Sequence, residues 1–558
     1  MRRSLMMGLA LATSLVTAPA LAQVTGYPLL DNESIGLARA LDAAVAGPPE
    51  QFDEQQWALE TINSFLSGGD VMSPFRYLIA FSAYSVGQAA SSTPAYREPY
   101  RRTYQGFIDK MAQPVAWEDF LTVWGGQSPL GPDNIMYTGH LLLMMSHYQQ
   151  LFGDDRYEQP FVLTGSDGAT WTTDVHSLSA FVADQVQANT DNDGSATFNV
   201  PCEPGRVFVP CNTPHRLSDL IHDQAFGTDY GSSTGAWVDW VQQRMTHGES
   251  GVLYDLYWPY GHGQGEPSAG LAPARTERVS GIYNAWTIWF LRAIAPEWGA
   301  DLYPRFVEHF VVRGADSPYQ DGRTMVVDVF GSDGLVAPLM DLAATGFGMV
   351  AARTWGDDAL AEELQESWDR YFGAPQWSDD ASTLSYTGPL LPLVVQNAFP
   401  LLARTGDSER NLPVDALTAW DPARFDHPYI ASVSDEAAFV NQAFYDPETD
   451  ELILTLNGGF ATSEPASVAV ANLDPSLRYA VTRNGEPFEQ VAWDGELLVI
   501  RTTPLRYQMD SYIVGVAPPA SEPPPPEQEQ GCACNGSASA AGLFPLLGLA
   551  LALRRRTR

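Results

Sequence analysis

Lysine is almost missing from this chain. Of 558 residues only Lys110 carries an ammonium group, and 31 basic against 67 acidic side chains leave a formal charge of −36. A surface so negative repels a phosphate backbone, which excludes nucleic acid as a partner. Cysteine is nearly as scarce, with Cys532 and Cys534 near the C-terminus and only Cys202 and Cys211 in the body of the chain. Two cysteines without histidines at matching spacing do not complete the four ligands of a zinc site. No phosphate-cradling glycine loop, HExxH pair or GxSxG elbow occurs. The run Asn189-Thr190-Asp191-Asn192-Asp193-Gly194 starts like a calcium loop, but its twelfth position is Val200 instead of glutamate, so a solvated acidic loop is expected. No metal or organic cofactor is implied.

Core-building material is ample. Hydrophobic residues make up 45% and charged residues 18%, with 15 Trp, 23 Tyr and 25 Phe, the balance of a compact globular protein and not a disordered one. The length suggests three or four domains, or one large repetitive architecture.

Arg2 and Arg3, an apolar stretch through Leu21, and the small residues Ala20 and Ala22 have the three parts of a secretory signal, expected to span 1–22. At the other end come a Pro-rich stretch (517–530), a Cys motif at Cys532 and Cys534, the apolar run Ala541 to Leu553, and Arg554 to Arg556. That run is short of the roughly 20 residues a stable membrane span needs. The 531–558 segment resembles the sorting signal of myxobacterial surface proteins; the other reading is a membrane tail-anchor with positive-inside arginines. Both predict an exported protein, periplasmic or attached to the cell surface.

From about 28 to 410 the apolar spacing is helical. Leu141, Met144, Met145 and Tyr148 follow i, i+3, i+4, i+7, and Trp237, Trp240, Val241 and Trp286, Trp289, Phe290 repeat the pattern. These stripes are read as core faces. Glycines at Gly68-Gly69, Gly125-Gly126, Gly227 and Gly248 punctuate them, giving about ten to twelve helices. After residue 420 the period becomes two, with Leu452, Leu454 and Leu456 alternating and Asn484-Gly485 and Asp494-Gly495 reading as two-residue hairpin turns, so a small antiparallel β domain is expected over 425–516.

The chemistry has few candidates. Outside the cytoplasm, Cys202 and Cys211 would ordinarily form a disulfide; the functional alternative is a pair of thiols able to donate a proton, accept one or attack. His140 heads the Leu141 stripe and can move protons near neutral pH, although a histidine there can equally be structural.

The block Asn134-Ile135-Met136-Tyr137-x-Gly139-His140-Leu141-x-Leu143-Met144, followed by Tyr148 and Arg156-Tyr157-Glu158, resembles linalool dehydratase/isomerase, and Cys202-Glu203-Pro204 to Cys211-Asn212 is similar to that family's paired-cysteine segment. The resemblance runs from about 57 to 400. It implies a mainly α fold, an (α/α)6 toroid over 28–410 followed here by the small antiparallel β domain, in a homo-oligomer with sites near subunit contacts. It also implies a cofactor-free enzyme that isomerises an allylic terpene alcohol and dehydrates it to a diene. By motif position, Cys202 and Cys211 are the acid/base or covalent pair and His140 and Tyr77 handle the hydroxyl or its departing water. Met136, Glu203 and Tyr257 are the substrate-pocket residues. One departure is the stretch Ile62 to Asp70, which lacks the tyrosine that the family carries before the Tyr77 helix. Two alternatives stay open. Helical toroids also serve carbohydrate hydrolases and lyases, for which Glu203, Asp255 and Glu277 would be the carboxylates; or the chain is a non-catalytic surface binding protein with a Cys202–Cys211 disulfide.

Overall fold

The computed structural model describes residues 27–46, 75–121, 123, 128–328, 337–388, 393–434, 438–458, 465–504 and 508–518. The leader at 1–22, the 62–70 stretch, Gly68-Gly69, Gly125-Gly126, all but the first two residues of the Pro-rich spacer, and the 531–558 tail lie outside the described residues.

Among the described residues thirteen α-helices form, and six of them close into a cycle. Helix α2 (Phe75–Ser92) packs on α4 (Ile135–Phe152), α4 on α6 (Val209–Phe226), α6 on α8 (Gly281–Ile294), α8 on α10 (Ala337–Thr354), α10 on α12 (Leu393–Thr405), and α12 returns to α2. An outer layer supports this ring. In it α1 (Asn32–Ala46) lies on α12, α3 (Glu98–Met111) on α2, α5 (Val175–Ala188) on α4 and α6, α9 (Pro296–Phe310) on α8, and α11 (Asp358–Phe372) on α10.

The two layers differ in sequence for a physical reason. An outer helix such as α11 buries Leu360, Ala361, Leu364, Trp368 and Phe372, a single stripe at helical spacing. Helix α4 instead buries every residue from Ile135 to Gln150, because an inner helix meets neighbours on both flanks, the outer layer behind and the ring's interior in front. The stripe read from Leu141 to Tyr148 is therefore one part of a helix buried all round. Gly153 and Gly227 end α4 and α6 with φ of +64° and +69°, their N–H groups donating to Gln149 and Asp223 carbonyls.

Residues 429–516 fold into two antiparallel sheets. With β1 (Tyr429–Val433), β2 (Phe439–Asp446), β3 (Glu451–Asn457), β4 (Ala466–Ala471), β5 (Tyr479–Arg483), β6 (Glu486–Pro487), β7 (Val491–Asp494), β8 (Leu497–Thr502) and β9 (Asp510–Val516), the orders are β2-β3-β9-β5-β6 and β7-β8-β4-β1. Alternate residues of the two sheets, among them Leu452, Leu454, Val468, Val470, Ile500 and Val514, share one buried core. Asn484-Gly485 is the expected hairpin loop, with both residues at positive φ and Arg483 paired to Glu486. The second hairpin shifts by one: Asp494 pairs with Leu497, so the loop is Gly495-Glu496, with glycine at its first position at φ +63°.

The sandwich is bound to the helices through backbone as well as side chains. Ala95, between α2 and α3, donates to the Ala443 carbonyl at 3.0 Å and accepts from Ile430 at 2.6 Å, while Asn441 exchanges hydrogen bonds with Leu30 at 2.8 Å. Ring and sandwich belong to one compact unit that ends at Val516. Among the described residues no helix is long and apolar enough to cross a membrane.

Candidate active site

The N-terminal turns of four inner helices meet, with Tyr77 touching Cys211, His140 and Trp286. Tyr77 stands in the first turn of α2, Cys211 in the first turn of α6, Met136 and His140 in the first two turns of α4, and Tyr283 and Trp286 in the first two turns of α8. The positive ends of the helix dipoles therefore surround this region and stabilise negative charge that develops there.

Cys202 reaches the same place from a tight turn. Its N–H donates to the Arg206 carbonyl at 2.8 Å and the Arg206 N–H to the Glu203 carbonyl at 2.9 Å, which sets the 202–207 segment ahead of α6. Both cysteines are buried, with no disulfide between them. Cys202 is within hydrogen-bonding reach of Cys211; burial pushes its thiol well above the usual range, and that contact with Cys211 adds to the shift. The Tyr77 hydroxyl lies 3.7 Å from Cys211 Sγ. Burial, followed by the charges of Cys211 and Cys202, raises its phenol well above the ordinary value.

His140 completes the cluster. Its Nδ1 is 2.8 Å from the Tyr84 hydroxyl, and its ring is enclosed by Tyr77, Phe81, Tyr84 and Trp286 with centroids 5.3, 5.6, 5.9 and 5.4 Å away. Burial, with the nearby charge of Arg76, pushes the imidazole down to about 3, so it is neutral near pH 7. Among the described residues neither His140 Nε2 nor Trp286 Nε1 has a hydrogen-bond partner, though both atoms are buried. Two unsatisfied polar atoms in an aromatic enclosure are a costly arrangement unless a polar ligand group meets them.

Met136 is placed beside this group, its sulfur accepting from Arg76 Nη1 at 3.1 Å. Glu203 is buried and ion-paired to Arg206 at 3.0 Å; burial raises its carboxyl, against the pull of Arg206 and Arg76. Tyr257 is held differently. Its hydroxyl donates to Asp191 at 2.9 Å and its backbone pairs with Val207, which ties it to the acidic loop instead of the sulfurs. That loop is solvated only in part: Thr190, Asp193 and Gly194 are exposed, but Asp191 is buried and Asn192 donates to the carbonyls of Tyr260, Ser268 and Leu271. Asp255 accepts from Arg278, and Glu277 is exposed. Among the described residues no cluster of His, Cys, Asp or Glu is arranged to hold a metal.

Sequence reasoning passed over three neighbours. Arg76 is fully buried beneath the cluster, donating to the Ala116 carbonyl at 3.0 Å and paired with Asp119 at 3.0 Å. Tyr283 lies close enough to Cys211 for that thiol to raise its phenol, after burial. Trp286 was inside a stripe read as core, and nothing in a helical period separates a tryptophan packed only on apolar neighbours from one whose ring lies against Tyr77 and His140.

A model of the linalool dehydratase/isomerase family matches residues 76–387, which takes in every residue placed above. The chain belongs to that family. Among solved structures it is similar to a family 76 glycoside hydrolase from a bovine Bacteroides thetaiotaomicron strain, at 12% identity over 67% of this chain and 77% of that one, with a TM-score of 0.41. It is also similar to an alpha-1,6-mannanase of Salegentibacter sp. HEL1_6, at 11% identity over 67% of this chain and 98% of that one, with a TM-score of 0.39. The linalool dehydratase/isomerase match takes in the ring helices from α2 to α10 and stops short of α12 and of the sandwich, which begins at Tyr429.

Proposed function

We propose that this protein is a hydro-lyase and isomerase that acts outside the cytoplasm on a small apolar, isoprenoid-like alcohol, using Cys202 and Cys211 as its acid/base pair within an (α/α)6 toroid. The single observation that carries the reading is the convergence of two buried cysteines, the Tyr77 phenol and a neutral His140 in one buried aromatic enclosure. Every one of the groups whose proton affinity is shifted is shifted toward its neutral form, by burial first. Such a site suits a reaction in which a neutral alcohol becomes a neutral alkene.

One thiol protonates the hydroxyl oxygen, and the C–O bond breaks with its electrons leaving on water. The allylic cation so formed rests between the faces of Tyr77, Phe81 and Trp286, where ring quadrupoles stabilise it in the absence of solvent. The second thiol passes its proton to this thiolate across the hydrogen bond between the sulfurs; as a thiolate it takes a proton from the adjacent carbon, the C–H electrons close the new double bond, and both thiols are restored. Return of water to the other end of the cation, with one of its protons passing to the thiolate, gives the isomer instead and restores the thiol. His140 Nε2 and Trp286 Nε1 hold the hydroxyl and then the water.

The test is incubation of the full chain with a panel of allylic terpene alcohols, with dienes and isomers followed by gas chromatography and mass spectrometry. Turnover is expected, with Cys202→Ala and Cys211→Ala each lowering it by about a hundredfold or more while circular dichroism stays native. No turnover of any alcohol, or turnover that survives both substitutions, would overturn the proposal.

A further inference from the structure

A cavity lies at the opposite end of the ring helices, enclosing about 170 Å³ between the C-terminal turns of α2 and α4, the 410–428 segment and β2. Along α2, Ser91 in this cavity is about 21 Å from Tyr77 at the thiols. Arg97, Arg410 and Arg424 all line it. In a chain with more than twice as many acidic as basic residues, three guanidiniums together would be expected to hold carboxylates. Among the described residues none of the three is ion-paired, although twelve other arginines are, from Arg76 to Arg483. Aromatic faces hold them instead: Arg97 lies 4.3 Å from the Tyr429 centroid, Arg424 4.7 Å from Phe425, and Arg410 4.0 Å from Tyr27.

The negative charge around the three cations is spread and not paired. Two helix C-termini supply roughly half a negative charge each, Asp415 is bonded to Ser91 at 2.8 Å, and Glu98 and Asp426 act on Arg97, and Asp421 on Arg424, without forming an ion pair among the described residues. The cavity also offers an unused acceptor: Gln150 is buried, its Nε2 donates to the Thr418 carbonyl at 2.7 Å, and its Oε1 has no partner among the described residues.

We propose that this cavity binds a small polyhydroxylated anion of monosaccharide size, its carboxylate or phosphate held by Arg97, Arg410 and Arg424 and its hydroxyls donating to Gln150 Oε1 and Asp415. Guanidinium forks match either oxyanion in two-point geometry, and the aromatic rings beneath them hold the forks in place. The site stands apart from the thiols and does not depend on their chemistry.

Calorimetric titration of the full chain with glucuronate, glucose 6-phosphate, inorganic phosphate and neutral glucose tests it. One of the two sugar anions is expected to bind saturably and more weakly as salt rises, the preferred one telling carboxylate from phosphate, and glucose is expected to give no heat. Arg424→Gln and the less constrained Arg410→Gln should each weaken binding about tenfold or more, whereas the surface change Arg370→Gln and Cys211→Ala should leave it unaltered. Absence of saturable binding for both sugar anions would mean that the arginines serve only the helix C-termini. That result, or equal binding of glucose, or indifference to both cavity substitutions, would overturn the proposal.

Discussion

At the scale of single residues, burial decides protonation. His140 and His147 are both enclosed, with Nδ1 against the hydroxyls of Tyr84 and Tyr104, and burial holds each imidazole near about 3. Unfolded, each would titrate near 6.5. A histidine depressed on folding contributes stability that is fully present above about 6.5 and is lost as pH falls toward about 3, at up to about 1.4 kcal/mol per pH unit. Buried carboxyls work in the opposite sense, since burial raises Asp328 and Asp415 to about 6, so the informative quantity is a difference. Urea melts between pH 6.5 and 4 should show wild type losing stability faster than His147→Leu by close to one proton's worth, and equal slopes would refute the assignment. At the thiols, Tyr77→Phe removes the hydroxyl 3.7 Å from Cys211; kcat on an accepted alcohol is expected to fall about a hundredfold with the fold retained, measured by product formation.

At the scale of elements, the turn before α6 positions Cys202, and its geometry needs a glycine. Gly205 has φ +69°, and a Cβ there would lie 2.0 Å from the Gln264 carbonyl oxygen. Gly168 has φ +84° with nothing within 4 Å of its would-be Cβ. Both alanine variants pay for the left-handed backbone, but only Gly205→Ala also forces two backbone segments apart. Thermal or urea melts should place Gly205→Ala at least about 1–3 kcal/mol below wild type and below Gly168→Ala, and turnover should fall with it because the Cys202 turn is displaced. Other elements show where a local pattern stops being informative. The period of α11 is plain because one side faces water, whereas α4 is buried on all sides and its stripe understates it. The Asp494-Gly495 pair was legible as a hairpin, yet the register settles one residue on because pairing Asp494 with Leu497 places glycine at the loop's left-handed first position.

At the scale of the whole molecule, ring and sandwich share backbone hydrogen bonds at Ala95 and Leu30, and Ala95 and Tyr96 pack into the sandwich core. Scanning calorimetry of the full chain is therefore expected to show one cooperative transition for ring and sandwich together; two separated transitions would show that the contacts are too weak to couple them. The chain's local chemistry was enough to mark helical stripes such as those at Leu141, Trp237 and Trp286, where the period turns to two, that Gly227 and Asn484-Gly485 punctuate the backbone, and which rare reactive side chains exist, though it put the helices at ten to twelve where thirteen form among the described residues. Those properties follow from neighbours within a few residues. Tertiary structure alone decided that Tyr77, His140, Cys211 and Trp286 meet, that Tyr257 is taken by Asp191, and that three arginines remain without carboxylates. Ring closure brings those positions together from far along the chain, and the desolvation that sets their chemistry is imposed by partners no local pattern can name.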